Sequence, residues 1–235
     1  MGGKATIILF VSNTFDKGAR MKEHYIFDFD GTLIDSMPIH EAKILHLFHL
    51  SGIEPPPNLI NVLTPLGDKG AIPYLRQHFP VRHTDEQIYE ALDSYALSHY
   101  ENDIPLKDGV LEYLTYLKKK NKSLYILTAS PHRLIDPCIK RLGLEELFEQ
   151  AWSCEEFSTV KSDPTLFKRV AEQIGCSLSN IVFFDDNRTA VETAKSVGIT
   201  TVGVYDRSSE KDKPTIAAVA DWYVTSLSEL IGQDI

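Results

Sequence analysis

From Pro105 to Val224 the chain repeats one pattern, a helical stretch followed by a short apolar run, and this restricts the available folds more than any other feature. Spacing of the apolar residues predicts helices at Val110–Lys120, Ile135–Leu142, Pro164–Ile174 and Thr189–Val197. Strands are expected at Ser123–Thr128, Asn180–Asp185, Thr200–Tyr205 and Trp222–Val224, with a further short segment near Ala151. Strands that alternate with helices pair in parallel, and the crossovers cover both faces of the sheet. The expected fold class is therefore α/β, with a Rossmann-like parallel sheet at its core.

The first strand comes much earlier, in "YIFDFDGTLID", Tyr25 to Asp35. Taken alone, alternating Tyr25, Phe27 and Phe29 followed by Asp30-Gly31 fits a β-hairpin, since Asp-Gly tolerates the positive φ of a tight turn. The following residues decide against a hairpin. "DSMPIHEAKILHLFHLSGI" places Ile39, Ala42, Leu45, His46 and His49 at helical spacing and stops at Gly52. Further helices are expected at about Lys69 to His78 and from Asp85 to about Tyr100, with no strand between them. Residues 35–105 thus form a compact helical cap, inserted into an α/β core made of 21–34 and 106–235. Residues 1–20 are expected to be an N-terminal extension, with Met21 opening the strand. "DRSSEKDKPT", Asp206 to Thr215, reads as a polar loop.

Of the 235 residues, 43% are hydrophobic and 24% charged, as in an ordinary soluble protein. The 24 Lys and Arg against 33 Asp and Glu leave a formal charge of −9, which argues against nucleic acid as the main partner. A small phosphorylated substrate held by a few local cations remains compatible. Cys138, Cys154 and Cys176 are odd in number and widely spaced, which fits neither a disulfide framework nor a zinc site and suits the reducing cytoplasm. "ATIILFV", Ala5 to Val11, is too short to span a bilayer and lacks a cleavage site, so neither a membrane segment nor a signal peptide is expected.

In a parallel sheet the residues that end the strands share one rim, where open α/β sheets bind ligands. Here those ends carry Asp28 and Asp30, Thr128 in "LTAS", and Asp185 and Asp186 in "VFFDD". Lys161 precedes a helix that Asp163 is placed to cap. Crowded carboxylates repel one another and need positive charge among them. Hard oxygen ligands without His or Cys point to Mg²⁺. With a phosphoryl group held by the ion, Lys161 and the Thr128 hydroxyl, Asp28 would attack phosphorus to give an aspartyl-phosphate. Asp30 would protonate the leaving alkoxide and then deprotonate the hydrolytic water.

In this order, the motifs resemble those of the haloacid dehalogenase (HAD) superfamily, over nearly all of Lys22 to about Tyr205. Within it they are similar to the phosphatases and phosphomutases of the β-phosphoglucomutase and phosphoglycolate phosphatase type. The resemblance implies Asp28 as nucleophile and metal ligand, and Asp30 as acid/base whose carbonyl also binds the metal. It implies phosphate binding by Thr128 and the Ala129 amide, and Lys161 as the third-motif lysine, although the usual Lys-Pro is here Lys-Ser. In the fourth motif Asp186 falls on the main metal ligand, Asp185 replaces a glycine, and Ala190 stands where a later acid is common. His40 occupies a position at which mutase-like relatives have histidine. "LGDKG", Leu66 to Gly70, matches a cap loop that reaches toward substrate, which makes Lys69 a substrate contact.

Each of these residues has a simpler reading when taken alone: Lys161 as a surface lysine, Asp185 or Asp186 as a helix cap, Thr128 as a local backbone partner. Only their shared rim raises them above it. His46 and His49 lack an acid or cysteine to complete a metal site and are expected to pack or face solvent. The leading expectation is a Mg²⁺-dependent phosphatase of a small phosphomonoester, such as a sugar phosphate or phosphoglycolate, working as a monomer or weak dimer. A phosphomutase is the nearest rival. A non-catalytic phosphate-binding or regulatory module is a third reading, disfavoured by the presence of both Asp28 and Asp30. Dehalogenation is disfavoured because Asp30 supplies a proton donor which that chemistry does not require.

Overall fold

The computed structural model describes residues 24–57, 59, 63, 67–233 and 235. The expected N-terminal extension and the strand start at Met21 lie outside them. β1 (His24–Phe27) is followed by helices α1 (Met37–Leu50), α2 (Gly67–His78), α3 (Asp85–Asn102) and α4 (Val110–Lys119). Then come β2 (Ser123–Thr128), α5 (His132–Arg141), β3 (Gln150–Ser153), α6 (Pro164–Ile174) and β4 (Ile181–Asp185). The chain continues through α7 (Arg188–Ser196), β5 (Thr200–Val204), α8 (Lys213–Val219) and β6 (Trp222–Val224).

All six strands run parallel in the order β3-β2-β1-β4-β5-β6. β2 and β4 are buried along their whole length and read as unbroken apolar runs, as strands covered on both faces must. Side chains leave β1 with period two: Tyr25 and Phe27 enter one core layer and Ile26 the other. Phe27 stacks on Phe184 of the neighbouring strand at 4.3 Å between ring centroids, locking the register that sets Asp28 beside Asp185. Strand order reverses at β1, between β2 on one side and β4 on the other. The crevice at these carboxyl ends is where such a sheet accepts a ligand.

No hairpin forms at Asp30-Gly31. Instead the chain turns through Ile34, which bridges both Asp30 and Leu106, and runs on into α1. The two links between sheet and helical insertion lie side by side, joined by Asp35 N–H to the Pro105 carbonyl and Lys107 N–H to the Leu33 carbonyl, each at 3.0 Å. Helices α1, α2 and α3 enclose an apolar cluster of their own, including Leu47, Phe48, Ile72, Leu75, Ile88 and Leu92. α3 begins with a Thr84–Gln87 capping box and serves two cores. Its first half joins that cluster, whereas Ala96 and Tyr100 pack into the core of the sheet.

Three expectations change. The "LGDKG" stretch is not a loop from Gly67 onward but the first turn of α2, because burying Ile72 and Leu75 outweighs a helical glycine penalty of about 1 kcal/mol each. α5 begins at His132 rather than Ile135, with Pro131 at its N-cap and Leu134 already buried. The polar stretch Asp206–Thr215 is ordered: Asp206 caps a short 3₁₀ turn through the Ser208 N–H at 2.8 Å, and Pro214 opens α8, which buries Ile216. Trp152 stacks on Tyr125 in the core, His46 stacks on Tyr95, and His49 is exposed. The three cysteines are free. Among the described residues no helix is long and apolar enough to cross a membrane.

Candidate active site

The carboxyl ends of β1, β2 and β4 and the loop before α6 meet at a cavity of about 510 Å³. Asp28, Asp30, Thr128, Ala129, Lys161, Asp185 and Asp186 all line it, joined from α1 by His40 and Ile44. Asp28 directly extends β1, its N–H donating to the Phe184 carbonyl at 2.8 Å. Lys161 reaches between the strand ends, donating to Asp28 Oδ1 and, at 2.8 Å, to Asp185 Oδ2. The other oxygen of Asp185 accepts the Asn187 N–H at 2.7 Å, while Asn187 caps α7. Asp185 is therefore committed to neighbours on both oxygens. Among the described residues Asp186 has one long hydrogen-bond contact, from the Thr32 hydroxyl at 3.5 Å, and it faces Gly31.

Ligand oxygens of Asp28, Asp185 and Asp186 all lie within 4.8 Å of one another, and all three residues are buried. Burial, partly offset by Lys161, combines with the charges of Asp185 and Asp30 to push Asp28 up to about 7. Burial and then Asp185 and Asp28 raise Asp186 well above the carboxylate range. Burial works against the Lys161 ammonium, but Asp185 and Asp28 outweigh it and hold the ammonium firmly protonated. Lys161 thus reaches two of the three carboxylates, and Lys107 attracts the third, Asp186, without outweighing its burial. An all-oxygen cluster with this surplus of negative charge fits a hard divalent cation. Gly31 completes the cradle: at φ 79°, a Cβ there would stand 2.9 Å from the Asp186 carboxyl carbon.

Asp30 sits in a different environment. Its Oδ1 accepts Ser36 Oγ at 2.7 Å and the Tyr100 hydroxyl, while its Oδ2 accepts Ser130 Oγ at 2.6 Å and Thr128 Oγ1 at 3.4 Å. His40 Nε2 lies 3.1 Å from the Tyr100 hydroxyl and 3.6 Å from Asp30 Oδ1. Burial opposes ionisation of Asp30, but hydrogen bonding and attraction from His40, with the Ser130 and Tyr100 hydroxyls, hold its carboxyl well below the usual range. The two aspartates of "DFDG" are therefore driven apart: Asp30 is held ionised, and Asp28 is the one that takes a proton more readily.

Behind the rim, Lys107 Nζ donates to the carbonyls of Gly31 (2.5 Å) and Tyr205 (2.6 Å) and pairs with Asp206 at 2.9 Å, fixing the turn after Asp30. Ala190, at the later-acid position, is buried at the cavity edge. Lys69 lies in the first turn of α2, and its side chain is outside the described part of the structure. Sequence reading passed over Ser36, Tyr100, Ser130 and Lys107. Ser130, two residues beyond Thr128 in "LTAS", carried a signal; Tyr100, seventy positions from Asp30, carried none.

The family model for haloacid dehalogenase-like hydrolases matches residues 25–204. A phosphorylated carbohydrates phosphatase of Thermotoga maritima is 25% identical over 177 residues, 75% of this chain and 82% of that protein. A phosphoglycolate phosphatase of Pseudomonas putida is 27% identical over 188 residues, 76% of this chain and 68% of that protein. In fold, the chain is similar to CbbY from Rhodobacter sphaeroides, solved in complex with phosphate, with a TM-score of 0.74, 19% identity, and coverage of 89% of this chain and 96% of that one. With the parallel sheet, the strand-end aspartates and the family match over most of its length, the chain belongs to the haloacid dehalogenase-like hydrolase family.

Proposed function

We propose that this protein is a Mg²⁺-dependent phosphatase that hydrolyses a small phosphomonoester, a sugar phosphate or a compound like phosphoglycolate, through an aspartyl-phosphate on Asp28. One observation carries the reading: Asp28 and Asp30 face the same cavity in opposite electrostatic settings, Asp28 beside Lys161 and the acidic pair, Asp30 among hydroxyls and His40. The phosphatase names of the relatives support it.

Asp28, Asp186 and the Asp30 carbonyl would hold the ion, with Asp185 tied to Lys161 and Asn187. When bound, Mg²⁺ supplies positive charge that offsets the acidic pair and the phosphoryl oxygens. Lys161 and the Thr128 hydroxyl, with the Ala129 amide, hold the transferring group, and Asp28 Oδ attacks phosphorus as the ester P–O bond breaks. Asp30, ionised in the resting site, takes up a proton with the substrate and passes it to the departing alkoxide, then takes one from the water that releases phosphate from Asp28. His40 orients Asp30, and Lys69 contacts the substrate from the insertion, which closes the cavity from water.

Assaying phosphate release from a panel of esters with Mg²⁺ tests the reading. Release that disappears in Asp28→Asn and on chelation is the expected result. Isomer conversion without net release would make the protein a phosphomutase instead, and silence on every ester would favour a binding module.

A further inference from the structure

β2 and β3 lie side by side with Thr128 paired to Ser153, so the segments that leave these two strand ends start next to each other. One passes through Ala129 and Ser130 into α5, whose first residue is His132. The other makes a short 3₁₀ turn, Cys154–Phe157, and continues to Lys161. His132 joins them. Its Nε2 lies 2.7 Å from Glu156 Oε1 in that turn, and its Nδ1 lies 2.8 Å from Asp136 Oδ1, one turn further along α5. A carboxylate accepts hydrogen bonds and a neutral imidazole has one N–H, so both contacts are made together when the ring is the imidazolium. Asp136 and then Glu156 raise the His132 pKa above its ordinary value, against a smaller opposing effect of partial burial. Glu156 is itself fixed in the turn, where it accepts the Ser153 N–H at 2.8 Å, and Arg169 on α6 holds the Phe157 carbonyl at 2.5 Å. From α3, which packs on α5, Asp93 pairs with Arg133 at 2.7 Å.

We propose that His132 is a positioning residue for the transferring phosphate: its two-sided contact ties the turn that carries Thr128 and Ala129 to the segment that carries Lys161, and losing its proton loosens that tie. The proposal rests on the phosphatase reading above, which puts the phosphoryl group between those two segments. His132 is not one of the described residues that line the cavity, so it acts on phosphate through the segments rather than by touching it. The tie is complete below the unfolded imidazole pKa of about 6.5 and is lost as pH rises through the higher folded value. Above that value the neutral ring keeps one N–H, and a bare nitrogen meets the other carboxylate. The effect therefore falls on substrate binding and leaves the bond-breaking steps to Asp28 and Asp30.

A residue that served folding alone would change binding equally at every pH, and this separates the two roles. KM and kcat are measured with Mg²⁺ at pH 6 and pH 9 on p-nitrophenyl phosphate, or on the best ester of the panel above. Dividing the KM of His132→Gln by the wild-type KM at the same pH cancels every other titration. The expected ratio is about three to five at pH 6, the scale of an ion pair partly open to solvent, and close to one at pH 9, with kcat unchanged. The same ratio at both pH values, a ratio near one at pH 6, or a loss confined to kcat would overturn the proposal. NMR titration of the His132 ring is the check that needs no turnover: a midpoint above about 6.5 that falls in Glu156→Gln is expected, and an unshifted midpoint would overturn the proposal. Glu156→Gln keeps the capping box of the turn and carries the KM comparison if His132→Gln does not fold. Wild-type protein that releases phosphate from no ester would overturn the phosphatase reading itself, and the role of His132 with it.

Discussion

At Gly31 a single hydrogen atom makes room for the acidic rim. The residue adopts φ 79°, and any side chain would meet the Asp186 carboxyl. Gly31→Ala is expected to cost about 1–2 kcal/mol in left-handed backbone strain alone and to displace Asp186. The check is thermal unfolding with and without Mg²⁺: wild type gains stability on adding the ion, and Gly31→Ala loses most of that gain. Lys161 gives the reverse separation. Lys161→Gln removes the cation from between Asp28 and Asp185, so turnover should fall about a hundred- to a thousandfold while Mg²⁺-induced stabilisation is kept or strengthened. Lost turnover together with lost Mg²⁺ response would contradict the separation of roles. At this scale the sequence was informative wherever a residue ended a strand, as Asp28, Thr128 and Asp186 do. It was silent on Tyr100, whose place depends on how α3 packs rather than on local pattern.

Among the elements, α3 packs into two cores, the insertion cluster and the core of the sheet. Arg141 on α5 closes its far end, donating to the carbonyls of Tyr100 at 3.1 Å and Ile104 at 2.6 Å, and Arg133 pairs with Asp93 at 2.7 Å along its length. The bond to Tyr100 satisfies a carbonyl that the helix end leaves orphaned, and the bond to Ile104 ties down the residue after the C-cap. Arg141→Ala is expected to cost about 1–3 kcal/mol in urea unfolding and to speed amide hydrogen exchange in the last turn of α3. Unchanged exchange there would show that the end is held by packing alone. Periodicity made most elements legible, and β2, α6 and β6 begin and end where the apolar pattern does. It missed α8 because Ile216 is the helix's buried residue and charged residues precede it. It expected the helix from about Lys69, two residues after its start at Gly67, and the loop expected for "LGDKG" came from the resemblance, where tertiary burial of Ile72 and Leu75 decides for helix.

For the molecule as a whole, alternation of helix and strand dictated a parallel sheet but not the order of its strands, since order depends on which apolar faces meet. The reversal at β1 is what gathers distant residues on one rim. Lys107 and Asp206 brace that rim from behind, linking the segment before α4 to the one after β5. Burial works against the Asp206 carboxylate, but Lys107 and Ser208 prevail and lower its pKa. A depressed carboxylate stabilises the fold fully above its unfolded pKa of about 3.9, and that contribution is lost as pH falls through the lower folded value. Asp206→Asn is therefore expected to be about 1–3 kcal/mol less stable than wild type at neutral pH, with the gap closing only in acid below about pH 4. A gap independent of pH would contradict the assignment. The account as a whole turns on a covalent bond to Asp28. Asp30→Asn, which slows hydrolysis of the intermediate, is mixed with radiolabelled p-nitrophenyl phosphate and Mg²⁺, quenched in acid and digested. The account predicts hydroxylamine-labile label on the peptide that carries Asp28 and none after Asp28→Asn; label on another residue, or turnover by wild type with no labelled protein at any time, would contradict it.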